Sequence, residues 1–195
     1  MREIVLSGIA FLSGFFTAIF AEPLRRRIYA PRLKLKFGKS NHYLTRTPEN
    51  EHEAIYVRIK VENYRSTLAK SCRAYLVNIE RKVKSGDFDQ TEYCDSMQLG
   101  WAYQKNRRFD AIDLPRKVSH FVDIISTRPT SSGFKLETKV IPLLYKKMLV
   151  TPGVYRFTII VSGDGVKPAH IKPIVSWNGN WDQVNSVEYK VKKEV

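Results

Sequence analysis

Residues Ile4 to Ala21 read IVLSGIAFLSGFFTAIFA, eighteen consecutive residues without a charge. No other stretch of the chain restricts its folding as much. A helix of that length is about 27 Å long, close to the ~30 Å hydrocarbon core of a bilayer. Only Ser and Thr could supply a polar face, whereas a core helix of a soluble domain carries a clearer one. A cleaved signal peptide is the rival, but Met1-Arg2-Glu3 is a poor basic leader. Cleavage after Ala21 would also leave Ile19 where a small residue is wanted. The expected organisation is a short extracytoplasmic tail over 1–3, a transmembrane helix over 4–21, and a basic juxtamembrane segment over 22–39 that runs into the first strand. A β-sandwich domain is expected over 40–195.

The flanks of the run give a direction. Residues 22–39 hold Arg25, Arg26, Arg27, Arg32, Lys34, Lys36 and Lys39 against one acid, Glu22, while Arg2 is the only basic side chain before the run. Lys and Arg near a span collect on the cytoplasmic side, so the expected location is the cell (inner) membrane, single-pass, with the body in the cytoplasm. Arg25, Arg26 and Arg27 are the candidates for setting topology and contacting lipid headgroups. Ala10, Gly14 and Ala18 recur every four residues, which lets two helices approach closely and makes them candidates for homodimerisation. Small residues are also common in membrane helices without any such role.

Beyond Pro31 the helical period gives way to period two. Ile55, Val57, Ile59 and Val61 alternate with Tyr56, Arg58, Lys60 and Glu62, which predicts a strand with one buried and one wet face. Further strands are expected over 32–37, 72–83, 93–103, 120–126, 134–140, 154–162, 171–177 and 187–192. Turn residues separate them, as in a sandwich or barrel. Val140–Val150 is apolar but broken by Pro142 and Lys146-Lys147, so a connecting segment or a short edge element lying over the sandwich is expected there. Tyr155 follows Pro152-Gly153 at a strand entry, where its hydroxyl can bond back across the corner. Trp177-Asn178-Gly179-Asn180-Trp181 predicts a tight hairpin with the two indoles facing each other.

The runs YVRIKVENYRSTLAKSCRAYLVNIE (56–80) and PGVYRFTIIVSGDG (152–165) resemble CARDB-like immunoglobulin sandwiches, which pair a V-x-N turn with a later PG-x-Y strand. The turn after Asn63 lacks the glycine of that pattern. With its N-terminal run and arginine stop, the whole chain resembles uncharacterised prokaryotic single-pass membrane proteins. The resemblance implies an all-β fold, an immunoglobulin-like Greek-key β-sandwich of about seven to nine strands preceded by one N-terminal transmembrane helix. It supplies no catalytic residue.

The residue patterns that announce chemistry do not occur. His42, His52, His120 and His170 share no metal-ligand spacing, and Cys72 and Cys94 form no C-x-x-C pair. No nucleophile elbow or phosphate-binding loop is present. No enzyme activity, cofactor or metal is therefore expected. In a reducing cytoplasm both cysteines are expected as free, largely buried thiols. With 33 Lys and Arg against 19 Asp and Glu, the net charge is +14 and favours an acidic partner. Tyr103, Lys105, Arg107, Arg108 and Phe109 interleave cations with aromatics, a pattern that can stack on single-stranded bases. Lys146-Lys147 and the lysines at 190–193 form lesser basic clusters, and all of these also suit a solvated surface. The expectation is a membrane-anchored, non-catalytic binding or interaction module with an unknown protein partner, contacting anionic lipid headgroups of the bilayer. The alternative is a membrane-tethered nucleic-acid-binding or defence-associated accessory protein.

Overall fold

In the computed structural model the described residues run from Tyr29 to Val187, save Asn50, Glu51, Lys105, Leu144, Lys146 and Lys147. The strands in chain order are β1 (Leu33–Lys36), β2 (Leu44–Glu49), β3 (His52–Asn63), β4 (Ala69–Lys82), β5 (Phe88–Gln90), β6 (Met97–Gln98), β7 (Gly100–Trp101) and β8 (Ile112–Leu114). They continue with β9 (Ser119–Thr127), β10 (Phe134–Leu136), β11 (Met148–Leu149), β12 (Gly153–Asp164), β13 (Val166–Ile171), β14 (Ile174–Trp177) and β15 (Val184–Val187). One sheet of seven strands is ordered β1-β3-β9-β10-β11, with β2 also on β3 and β7 also on β9. The other, of eight, is ordered β15-β14-β12-β4-β5, with β13 on β12 and with β6 and β8 on β4.

Two features of the expected fold class need correction. Fifteen strands occur among the described residues, not seven to nine, because short strands share the long edges of β4, β9 and β12. None of the described residues forms a helix long and apolar enough to cross a membrane. The expected span at 4–21 lies outside the described residues, as do Ala10, Gly14, Ala18, Arg25, Arg26 and Arg27.

The core lies between the sheets and follows from period two. Val57, Ile59 and Val61 of β3 face Leu76, Ile79, Phe157, Ile159 and Val161, all fully or almost fully buried. Burying each such side chain contributes about 1.5–3 kcal/mol. Bulges interrupt the period at several places, and two of them bear on the core and its outward face. In β4 the register with β12 passes from Asn78 to Leu76, so Leu76 and Ile79 reach the core from positions three apart. In β9 the register with β3 passes from Ile125 to Asp123, which puts Asp123 and Ser126 together on the outward face.

The last hairpin also differs from expectation. Trp177 pairs with Val184, so the loop spans 178–183 and Trp181 lies within it. The two indoles therefore do not face each other. Trp181 instead lies beside the Arg46 guanidinium, whose central carbon is 5.9 Å from the ring centroid. Tyr155 does bond back across its corner, its hydroxyl donating to the Thr151 carbonyl at 2.5 Å.

Candidate functional site

The aromatic and basic cluster singled out around residues 103–109 is pulled in two directions by the fold. Lys105 lies outside the described residues. Arg107 stays in solvent, where its Nε donates to Asp110 at 2.7 Å. Arg108 turns inward instead, donating to Asp123 Oδ2 at 3.2 Å and lying 3.1 Å from Glu137 Oε2. Its guanidinium also lies over the Phe109 ring at 5.3 Å. Gly100 makes room for it, since a Cβ there would fall 2.4 Å from Arg108 Nε. Tyr103, at φ 64° and 74% exposed, covers a second arginine.

That arginine is Arg58, placed by alternation on the wet face of β3 yet only 3% exposed. Its Nε donates to Asp123 Oδ1 at 2.6 Å and its Nη1 to the Tyr103 hydroxyl at 2.6 Å. The Tyr103 and Tyr56 rings lie 4.6 and 5.0 Å from its guanidinium carbon. Ser126 donates to Glu137 at 2.5 Å, which closes a lattice of two arginines and two carboxylates. Burial pushes the Asp123 carboxyl up from its ordinary value, while Arg58 and Arg108 oppose the shift. The charges cancel within the lattice, so its chemistry is to fasten the 102–109 loop onto the sheet. It does not present those cations to a ligand.

A second basic surface forms at the end of the sandwich where the chain enters. Asn63, fully buried at the end of β3, is its hub. Its side-chain amide donates to the carbonyls of Thr67 and Leu114, at 2.7 and 2.9 Å, and its own carbonyl accepts from Lys117 N–H at 2.7 Å. Tyr64 N–H donates to the Arg32 carbonyl, and Arg32 bridges to Lys167. The Thr67 hydroxyl donates to the Tyr29 carbonyl. Four separate segments thus meet at one end, carrying Arg32, Arg65, Lys70, Arg116, Lys117 and Lys167 against Asp113 and Asp164. Between these charges Tyr29 (59% exposed), Tyr64 (47%), Leu68 and Val118 stand in solvent. Sequence reasoning missed this surface because its parts lie dozens of residues apart. Only the V-x-N run ending at Asn63 hinted at it.

The thiols divide where two buried ones were expected. Cys72 is buried, and burial, with Asp113 and Asp164 nearby, pushes its thiol up to about 11. Cys94 is exposed, its sulfur 3.7 Å from the Tyr145 hydroxyl. Among the described residues no three His, Cys, Asp or Glu side chains are grouped to hold a metal ion.

No protein-family model matches the chain, and no curated protein matches it. A solved structure titled "X-ray structure of Northeast Structural Genomics Consortium target SoR45" is similar at 11% identity and a TM-score of 0.28, over 85% of this chain and 92% of that one.

Proposed function

We propose that this protein is a non-catalytic binding module held at a membrane, with the chain-entry end of its sandwich lying on anionic lipid headgroups. The observation that carries the proposal is the composition of that end, where six cations against two acids share the surface with exposed Tyr29, Tyr64, Leu68 and Val118. Each Lys or Arg near an anionic surface contributes about 1 kcal/mol, and Tyr suits the interface because its ring is apolar and its tip is polar. The uncharged run ends at Ala21, and the eight residues from there to Tyr29 can span at most about 28 Å. If that run holds the bilayer, the basic end lies within reach of the headgroups. Arg25, Arg26 and Arg27 fall inside the same short segment and orient the body toward the cytoplasmic leaflet.

Hydrogen exchange on the full chain in nanodiscs tests this. Residues 63–68, 115–118 and 165–167 should exchange more slowly in discs containing phosphatidylserine than in phosphatidylcholine alone. A variant carrying Arg65→Glu, Arg116→Glu, Lys117→Glu and Lys167→Glu should lose that difference. Equal exchange in both lipids sinks the proposal. Release of the protected segments by a single-stranded oligonucleotide would favour the nucleic-acid alternative.

A further inference from the structure

Of the eight asparagines in the chain, only Asn178 is followed by glycine. The pair stands in the loop 178–183 between β14 and β15, and both residues are exposed. Asn178 folds back on its own main chain, because its Oδ1 accepts a hydrogen bond from Asn180 N–H at 3.0 Å. This is the turn that an Asn side chain makes with the backbone two residues on. It closes a ring through Cγ, the Asn178 main chain and Gly179, which holds Cγ close to the Gly179 nitrogen. The same bond draws electrons from the side-chain carbonyl and makes Cγ more electrophilic.

The Gly179 nitrogen is open to this carbon. Among the described residues no hydrogen bond takes its N–H, and the ladder between β14 and β15 ends at Trp177 and Val184. Glycine has no side chain to shield the nitrogen, and its φ of 106° is one that other residues rarely adopt. The other exposed asparagines differ on this point. Asn41 precedes His42, Asn106 precedes Arg107 and Asn180 precedes Trp181, so each has a bulky side chain beside the nitrogen that would attack. Asn185 precedes Ser186, and both are held in paired strand β15.

We infer that Asn178 is a self-modification site, where the loop converts the side-chain amide to aspartate and isoaspartate with water as the only co-reactant. The Gly179 nitrogen gives its proton to base and bonds to Cγ. The Cγ–Nδ2 bond breaks, and Nδ2 takes a proton from water and leaves as ammonia. A five-membered succinimide remains. Water opens it at Cγ to give aspartate, or at the main-chain carbonyl carbon to give isoaspartate. Either product replaces a neutral amide with a carboxylate, which cannot donate to Gln183 Oε1 as the Asn178 amide does. In isoaspartate the main chain also runs through Cβ and Cγ, which lengthens the loop and loosens the bond from the Trp177 indole to the Asn180 carbonyl. The inference goes beyond the lipid-binding proposal and does not rest on it.

The test incubates the full native chain, in uncharged detergent micelles and mildly alkaline buffer, and follows each asparagine by peptide mass spectrometry. Asn178 should convert at least about tenfold faster than Asn41, Asn106 or Asn180. The rate should rise with pH, because the attacking nitrogen must lose its proton. Isoaspartate at position 178 should be revealed by its specific enzymatic methylation. The same chain unfolded in urea is the reference. If Asn178 stays intact in the native chain and converts only after unfolding, the loop shields the amide and the inference fails. Comparable rates at all the exposed asparagines would overturn it as well, since the Gly179 nitrogen would then confer nothing. The isoaspartyl fraction, separated by ion exchange, should melt below the parent, and identical melting would overturn the loosening of the loop. The wild-type chain serves throughout, so no misfolded variant can produce the expected result or hide it.

Discussion

Arg58 donates through Nε to Asp123 Oδ1 at 2.6 Å on the outward face of a sheet, and both side chains are almost wholly buried. An ion pair on that face would normally be wet. It is dry here because the 102–109 loop folds over it, with the Tyr103 ring on the guanidinium. Such a pair adds little net stability over apolar side chains of similar volume, yet removing one partner strands the other's charge. Asp123→Ala should therefore lower the unfolding free energy by about 3–5 kcal/mol, measured by urea denaturation. The double change Arg58→Met with Asp123→Leu should recover most of the loss. A single variant as stable as the wild type would show that the pair is solvated in solution.

A second charge pair sets a pH dependence. Arg156 holds Glu80 with two bonds, Nε to Oε2 at 2.7 Å and Nη2 to Oε1 at 2.5 Å, across paired strands. Those bonds hold the Glu80 carboxyl below its ordinary value of 4.5, outweighing the opposite effect of partial burial. A depressed carboxylate stabilises the fold above its unfolded pKa, and that stability fades as pH falls through the folded value. The melting-temperature gap between wild type and Glu80→Gln should thus be widest near neutrality. It should begin to narrow below about pH 4.5 and close only once the folded carboxyl is itself protonated, when both proteins carry an uncharged side chain. A gap that stays constant on acidification would mean the bonds do not perturb the carboxyl.

Much of the fold could be read along the chain, because period two states plainly which side chains go inward. Val57, Ile59 and Val61 were legible on that ground, and so was the return bond of Tyr155. What could not be read depends on tertiary pairing. The bulges at β4 and β9 shift the alternation, and Val77 beside Leu76 and Ile124 beside Ile125 are ordinary apolar residues whose type does not mark a bulge. Residues 93–103 look like one strand, but they divide into β6 and β7, which pair with different sheets. Arg58 obeys the alternation and is buried all the same, by a loop over forty residues away. The entry-end surface is the extreme case, since its cations become neighbours only when Asn63 draws the segments together.

The two cysteines should report their environments separately. A thiol reagent acts through the thiolate, so Cys72, buried and pushed up to about 11, should not react at mildly alkaline pH. Exposed Cys94 should label promptly. One equivalent in the native protein and two after denaturation is the expected count by mass spectrometry. Rapid labelling of Cys72 in the native state would mean that the β4 end of the sandwich opens readily.

Gly179 offers a test of the long final hairpin, with Gly86 as its control. Both have positive φ, 106° and 97°, so any side chain strains the backbone at either site. Around Gly86 an added Cβ would meet nothing within 4 Å, whereas at Gly179 it would lie 3.2 Å from Pro152 Cγ. The Gly179 loop also carries more contacts. Asn180 N–H donates to Asn178 Oδ1 at 3.0 Å, and the Trp177 indole N–H donates to the Asn180 carbonyl at 2.7 Å. Gly86→Ala should cost about 1–2 kcal/mol from conformation alone. Gly179→Val adds a β-branched side chain, the clash with Pro152 and a weakened hold on Trp177, so it should cost more. For a domain of this size each kcal/mol corresponds to roughly 2–4 °C in melting temperature, which a calorimetric comparison resolves. Equal losses at the two sites would mean that Pro152 and Trp177 do not constrain the loop, and no loss at Gly179 would contradict the hairpin geometry itself.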